Sequence, residues 1–474
     1  MAASCKAGCG AAGRPELGYA AGSRIVEANL RQIFSSRSRL QRFLDVEAAL
    51  ALAEAELGVI PKAAAEKIAA TARIELLDEN RIAEQQAVTG HLMVPLVREL
   101  SQAVGDPDGG WVHWGATTQN IQQTGDVIGF RSAVRMLTGE LCKLLDGLAD
   151  LGDCSASMLM AGRTHWQQAV PITFGFKVAT WSDVLIRHVE RLHQLEPRLF
   201  TAMTGGAAGT FASLGEVGPA VQEGVARRLG LTPMPVPARN IADQFAEFVL
   251  LLGMIAATAG SIADEVSRLM GTEFGEVSES LPEGDVGSST MPQKRNAKRA
   301  METVTKSAEV RALVPLALDA MIQSHEVDGA RAAMMDYALE QSCILSGDVL
   351  IALNSVIAGL EIYPERMKTN LMLTNGLISA EAVMMTLGKT IGRQVAHDVV
   401  HHAAKVVSTG NGGQTFAEVL SADRRVSDHL SPAELATRLD PAQHTGLSER
   451  IAHDTATRAR NAATLYRPKA TTVA

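Results

Sequence analysis

The 474-residue chain predicts an all-α fold, and three observations lead there. Apolar residues recur at alternating spacings of three and four along several long stretches, the mark of helices packed side by side. Aromatic residues make up only 4% of a chain that is 46% hydrophobic, an aliphatic bias that suits helices better than a β-sandwich. Gly-rich connectors interrupt the periodic runs, which favours a bundle over one extended coiled coil.

In chain order, residues 1–24 read as a mobile Ala- and Gly-rich tail. An N-terminal helical domain follows over 25–110, where Leu44 to Ala53 consists of strong helix formers. The turn run Gly105-Asp106-Pro107-Asp108-Gly109-Gly110 ends it. The central domain, 111–362, carries three seams. Val127, Phe130, Val134, Leu137, Leu141, Leu144, Leu148 and Leu151 form the first. Phe245, Phe248, Leu252, Ile255, Ala259, Ile262, Val266 and Leu269 form another. Trp181, Leu185, His188, Leu192, Leu195 and Leu199 form the third, with Pro171 placed ahead of it to open a helix. Tyr363-Pro364 introduces a C-terminal helical domain, 363–474, helical over 375–407 with a break at Gly392. Ala-rich, largely apolar helices of this length predict an oligomer.

Composition narrows the function. With 44 basic and 52 acidic residues the net charge is −8, which argues against a dedicated nucleic-acid or anionic-membrane binder. The five cysteines, Cys5, Cys9, Cys142, Cys154 and Cys343, are too few and too scattered for a disulfide framework, so a reducing cytoplasm is expected. Cys5 and Cys9 have no His/Cys pair at the spacing of a zinc site. Residues 1–24 lack the apolar run of a signal peptide. The longest apolar stretch, Phe248 to Ile262, falls short of the roughly 20 residues that cross a bilayer.

The chemistry-bearing segment is Gly287-Ser288-Ser289-Thr290-Met291-Pro292-Gln293-Lys294-Arg295-Asn296, inside a loop, 284–298, that Pro282 and Gly284 make pliable. On composition alone it reads as a polar connector. It closely resembles, however, the signature loop of the fumarase/aspartase superfamily, G-S-S-x-x-P-x-K-x-N, with every fixed position present. Trp114-Gly115-Ala116-Thr117-Thr118-Gln119-Asn120 resembles that family's first region, G-A-T-S-x-D, and Gly162-Arg163-Thr164-His165-Trp166-Gln167-Gln168-Ala169 its second, G-R-T-H-x-Q-x-A. Stretches 40–62, 111–118 and 377–400 most resemble the branch of adenylosuccinate lyase and 3-carboxy-cis,cis-muconate cycloisomerase.

The resemblance implies three helical domains, a twenty-helix core in a homotetramer, and active sites built from three subunits. It also implies anti β-elimination from a succinyl-type substrate, usually releasing fumarate, with no metal or cofactor. Removing a weakly acidic C–H beside a carboxylate requires donors preorganised for the dianion that develops. By motif transfer Ser288 is the general base, its alkoxide stabilised by backbone N–H groups and by Lys294. Lys294 and Asn296 grip the substrate carboxylate, and Thr117, Thr118, Asn120, Gln167, Ser289 and Met291 complete the pocket. His165 matches the histidine that donates a proton to the leaving group or orients the donor. His91 corresponds to a second substrate-facing histidine of adenylosuccinate lyases, and His113 is a further candidate.

Two other clusters take plainer readings. His397 and His401 stand one helical turn apart without a third ligand, as on an amphipathic helix face. Gly205-Gly206-Ala207-Ala208-Gly209 lacks the Lys-Ser/Thr of a phosphate-binding loop and reads as a connector.

Departures from the family pattern shape the substrate expectation. Asn120 replaces the aspartate of the first region, which points to a leaving group needing little protonation. The Q-R-D-R of adenylosuccinate lyases aligns with Ile241-Ala242-Asp243-Gln244, and their H-E-R-D with His325-Glu326-Val327-Asp328, so three arginines are missing. A nucleotide phosphate needs such partners, so a small di- or tricarboxylate is expected, not adenylosuccinate. Rival readings are a cycloisomerase acting on a lactone, a silent crystallin-like scaffold, and an anion-binding module that uses the loop only as a nest.

Overall fold

The computed structural model describes residues 27–280, 287–409 and 413–469. The tail with Cys5 and Cys9, together with Pro282 and Gly284, lies outside the described residues. Helices dominate, and the strands form three two-stranded pairs among the described residues.

The elements that position the site run as follows: α1 (Ser36–Glu56), α2 (Met93–Val104), α3 (Thr118–Cys154), β1 (Leu159–Thr164), β2 (Gln167–Thr173), α4 (Phe174–Leu199), α5 (Gly218–Leu229), α6 (Asp243–Leu269), β3 (Val277–Glu279), α7 (Lys298–Ala320), α8 (Gly329–Ala358), β4 (Leu360–Ile362), α9 (Arg393–Thr409) and α10 (Ser448–Tyr466). α1 starts where the Ser35 hydroxyl accepts the Ser38 N–H, and it buries Phe43, Leu44 and Leu50 against Ile68, Leu96 and Leu100. Although α5 belongs to the middle of the chain, its Val221, Val225 and Leu229 join this N-terminal core.

α3, α4, α6, α7 and α8 share one large core, in which the three seams meet as their periodicity predicts. Leu137, Leu144, Leu185, Phe248, Leu252 and Val266 are all fully buried there. The expectation that Pro171 opens the third helix is corrected. Pro171 lies in β2 opposite Ala161, and α4 begins at Phe174, capped by Thr173, whose hydroxyl accepts the Phe176 N–H. A residue without an N–H is tolerated on a two-stranded ribbon, which has an open edge on either side.

A second correction concerns length. The apolar stretch around 248–262 continues into a 27-residue helix, and both α6 and α8 are long and apolar enough to cross a membrane. Most of each apolar window is nevertheless buried inside the bundle, 67% and 61% respectively, so the apolar character serves the core.

The C-terminal region builds its own small core from Val383, Leu387, Val399, Phe416, Leu420 and Leu435. Gly392, at φ 85°, separates its first helix from α9, as the sequence predicts. The last helix does not stay with that core. α10 returns to α3 and α4, and its Ala456, Ala459 and Ala463 are buried in the bundle. Arg460 fastens it to Asp150 and Asp153.

One buried acid makes stability depend on pH. Glu54 of α1 is fully buried, and neither carboxylate oxygen has a hydrogen-bond partner among the described residues. Burial, with a further push from the Glu47 charge, raises its pKa to about 8. The folded chain therefore holds a proton that the unfolded chain gives up above its ordinary pKa of 4.5, and stability falls as pH rises from there to about 8. Glu54→Gln is expected to add roughly 3 kcal/mol at pH 7 and little at pH 4.5. Urea melts at the two pH values check this, and equal gains at both would contradict it.

Candidate active site

The first motif is a tight turn feeding α3. Gly115 has φ 65°, and a Cβ there would come within 2.6 Å of the Leu214 side chain, so only glycine fits. Thr117 and Thr118 stand half-buried at the start of α3. Asn120 is engaged within the chain. It is 1% exposed, and its Oδ1 accepts the N–H groups of Thr117 at 3.1 Å and Gly206 at 3.0 Å. Its Nδ2 donates to the Gly206 carbonyl at 3.4 Å. The Asn120 amide thus straps the Gly205–Gly209 connector to the turn, with Thr124 bonded to Met203 one helical turn further along.

The second motif is the β1–β2 hairpin. Its two turn residues, His165 and Trp166, have φ of 48° and 67°. A two-residue hairpin demands this conformation, and Asn-Gly is what usually supplies it. Bulky residues held there are strained, a frequent mark of functional positions. His165 and Gln167 are exposed, and the Trp166 ring carries the Arg268 guanidinium 4.6 Å from its centroid. Below the turn, Arg163 makes a two-pronged bond to Glu276 at 2.6 and 3.0 Å, and Glu276 also accepts Asn370 Nδ2 at 2.8 Å. Gln168 donates to the Asn370 carbonyl at 2.6 Å. The hairpin is therefore clamped to the segments flanking β3 and β4.

The third motif folds back on itself. A Cβ on Gly287 would stand 2.6 Å from the Lys294 carbonyl, and Asn296 Nδ2 donates to the Gly287 carbonyl at 3.0 Å. Inside this ring Ser288 Oγ accepts the backbone N–H groups of Met291 at 3.2 Å and Thr290 at 3.4 Å. Two N–H groups aimed at one hydroxyl oxygen make a nest for negative charge on that atom. The Lys294 ammonium is exposed and forms no ion pair among the described residues, while Ser289 and Met291 are also exposed. Arg295 ties the loop down through Glu361 and the Glu279 carbonyl. The Glu279 carboxylate accepts the Arg299 and Ala300 N–H groups, which fixes the start of α7.

Three clefts have volumes of about 30, 490 and 240 Å³; Arg163 and Trp166 of the second motif line the last of them, and none is lined by Ser288, His165 or Thr117. His91 is exposed, and its Nδ1 accepts the Met93 N–H at 3.3 Å at the start of α2. His397 and His401 stack face to face on the exposed side of α9, 5.9 Å apart. Among the described residues no three His, Cys, Asp or Glu groups are disposed to hold a metal.

Asp328 caps α8 through the Ala330 and Arg331 N–H groups, next to the half-buried Val327. Motif reading missed Glu276, Glu279 and Glu47, which hold the motifs from behind. Single acids in helix and strand segments carry no pattern that marks them.

Comparison with known proteins bears on this geometry. The family described as "Lyase" matches residues 24–311, and "Adenylosuccinate lyase C-terminus" matches 376–455. An N-acetyl-S-(2-succino)cysteine lyase of Enterococcus italicus is 38% identical over 89% of this chain and 92% of its own. A 3-carboxy-cis,cis-muconate cycloisomerase of Pseudomonas aeruginosa is 40% identical over the same shares, 89% and 92%. The crystal structure of a fumarate lyase from Mesorhizobium sp. BNC1 superposes with a TM-score of 0.84 at 33% identity, covering 90% of this chain and 97% of that one.

Proposed function

Because the chain belongs to the fumarase/aspartase superfamily of lyases, we propose that it performs anti β-elimination on a small substituted succinate and releases fumarate. The nest around Ser288 carries this reading: two backbone N–H groups converge on the one hydroxyl that must bear charge after taking a proton from carbon. These bonds are long for a neutral hydroxyl and shorten when the oxygen becomes an anion. Lys294, beside the nest with its ammonium open, pairs with the substrate carboxylate, and Thr117, Thr118 and Gln167 add hydroxyl and amide contacts. Asn296 supports the loop, and the hydrogen bond its side-chain amide donates to the Gly287 carbonyl keeps the nest closed. His165, raised on a strained turn, donates to the leaving group.

The leaving group is a thiolate or an amine. The Enterococcus italicus relative is named for a succinylated cysteine, and a thiolate departs with little protonation. Adenylosuccinate fits poorly, since Val327 and Ala242 offer a phosphate no charge. A second reading, lactone chemistry as in the named cycloisomerase, rests on the 40% identity.

We place the working site between subunits of a homotetramer. Met254, Met301, Leu318, Ile322, Tyr337 and Ile351, on or beside α6–α8, are 45–65% exposed, an apolar surface that assembly would cover. A cytoplasmic setting agrees with Cys142 and Cys343, both buried free thiols.

The test is direct. Fumarate mixed with small thiols and amines should lose its ultraviolet absorbance in the presence of enzyme, and the succino-adducts should regenerate it. Turnover of a carboxymuconate lactone without any of these reactions would favour the second reading.

A further inference from the structure

The first motif is held from behind by an acid that no motif contains. Glu47 lies in the middle of α1, 1% exposed, and its Oε1 meets His113 Nδ1 at 2.6 Å. Its Oε2 is buried and has no partner among the described residues. His113 stands in the left-handed region at φ 65°. Its ring is mostly buried, and Nε2 makes no hydrogen bond among the described residues. Two residues later comes Gly115, also left-handed, and two after that Thr117. A buried carboxylate with one partner requires that partner to donate, so the His113 ring carries its proton on Nδ1 whatever its charge. Burial pulls the His113 pKa down, but the charge and hydrogen bond of Glu47 outweigh it and leave it raised.

We propose that Glu47 is a positioning residue of the active site. By gripping His113 it fixes the left-handed entry to the first-motif turn, and so the places of Thr117 and Thr118 against the substrate carboxylate. The proposal rests on the lyase reading above. Neighbouring charges are engaged elsewhere: Glu56 with Arg227 and Arg228, Glu99 with Arg81, and Asp108 with Lys67. Glu54, two turns further along α1, is protonated at neutral pH. Glu47 is therefore the acid that holds His113.

Two variants separate charge from reach. Glu47→Gln keeps the length and loses the charge, whereas Glu47→Asp keeps the charge and loses one methylene. Fumarate affinity is measured by calorimetry between about pH 6 and 9, and amide hydrogen exchange by mass spectrometry over residues 111–120. At pH 7, Glu47→Gln is expected to weaken fumarate about tenfold, the scale of one lost charge-assisted hydrogen bond. It should quicken exchange in 111–120 but not in the bundle. The pair is tightest while His113 is charged, so wild-type affinity should fall as pH rises through the His113 pKa, and in Glu47→Gln that fall should move to lower pH. Glu47→Asp should keep that pH dependence and still quicken exchange.

A Gln variant with wild-type fumarate affinity overturns the proposal, whether or not exchange quickens, because the pair then serves stability alone. Wild-type protein that fails to bind fumarate overturns the lyase reading instead.

Discussion

Ser288→Ala is expected to lower turnover about a thousandfold while fumarate binding changes by no more than a few fold. Removing a positioned general base costs ~10²–10⁴ in rate. Here the loss concerns charge that exists only once the proton has left carbon, so it falls on kcat and not on KM. The substitution deletes one oxygen. The Thr290 and Met291 N–H groups that it frees lie in an exposed stretch where water can replace it, so folding is unaffected. Fumarate release followed in the ultraviolet, beside a thermal melt, makes the comparison. A soluble Ala variant that turns over at the wild-type rate removes Ser288 from the mechanism.

Glu276→Ala is expected to cost about 3–5 kcal/mol of stability, the range for breaking a buried ion pair by deleting one partner. The Glu276 side chain is fully buried, and two groups depend on it: the Arg163 guanidinium, itself only 17% exposed, and the Asn370 amide. Alanine leaves both without a carboxylate, the Asn370 amide fully buried and the Arg163 guanidinium largely so. Because Arg163 sits just below the His165 turn, the same change should loosen the hairpin and reduce turnover. Urea denaturation gives the energy, and Glu276→Gln, which keeps an acceptor, should lose less. A loss below about 1 kcal/mol for the alanine variant would show that the clamp carries no weight.

Much of the fold is legible in the chain because long helices repeat their requirements every turn. Leu137, Leu144, Phe248 and Leu252 each supply the same information several times over. The signature loop is legible for a different reason, since its hydroxyls, lysine and amide lie within ten consecutive residues. Contacts that join distant residues leave no such trace. Asn120 meets Gly206 across 86 positions, and Glu47 meets His113 across 66. The bonding role of Asn120 is therefore hidden in the sequence, and Glu47 belongs to no motif at all. The hairpin turn is hidden too, because His-Trp stands where turn chemistry predicts Asn-Gly. Pro171 misleads by proximity: a residue that can begin a helix lies three positions before one, yet serves a strand.

The homing of α10 onto the bundle has a thermodynamic consequence for the region between Leu371 and Ser448. With both feet planted, that region is a closed arch, not a free arm. Melting its private core releases less chain disorder than freeing a dangling end of equal length, since the span between its anchors stays fixed. The arch therefore borrows persistence from the helices beneath it, and it stands or falls with the pillars that carry the motifs.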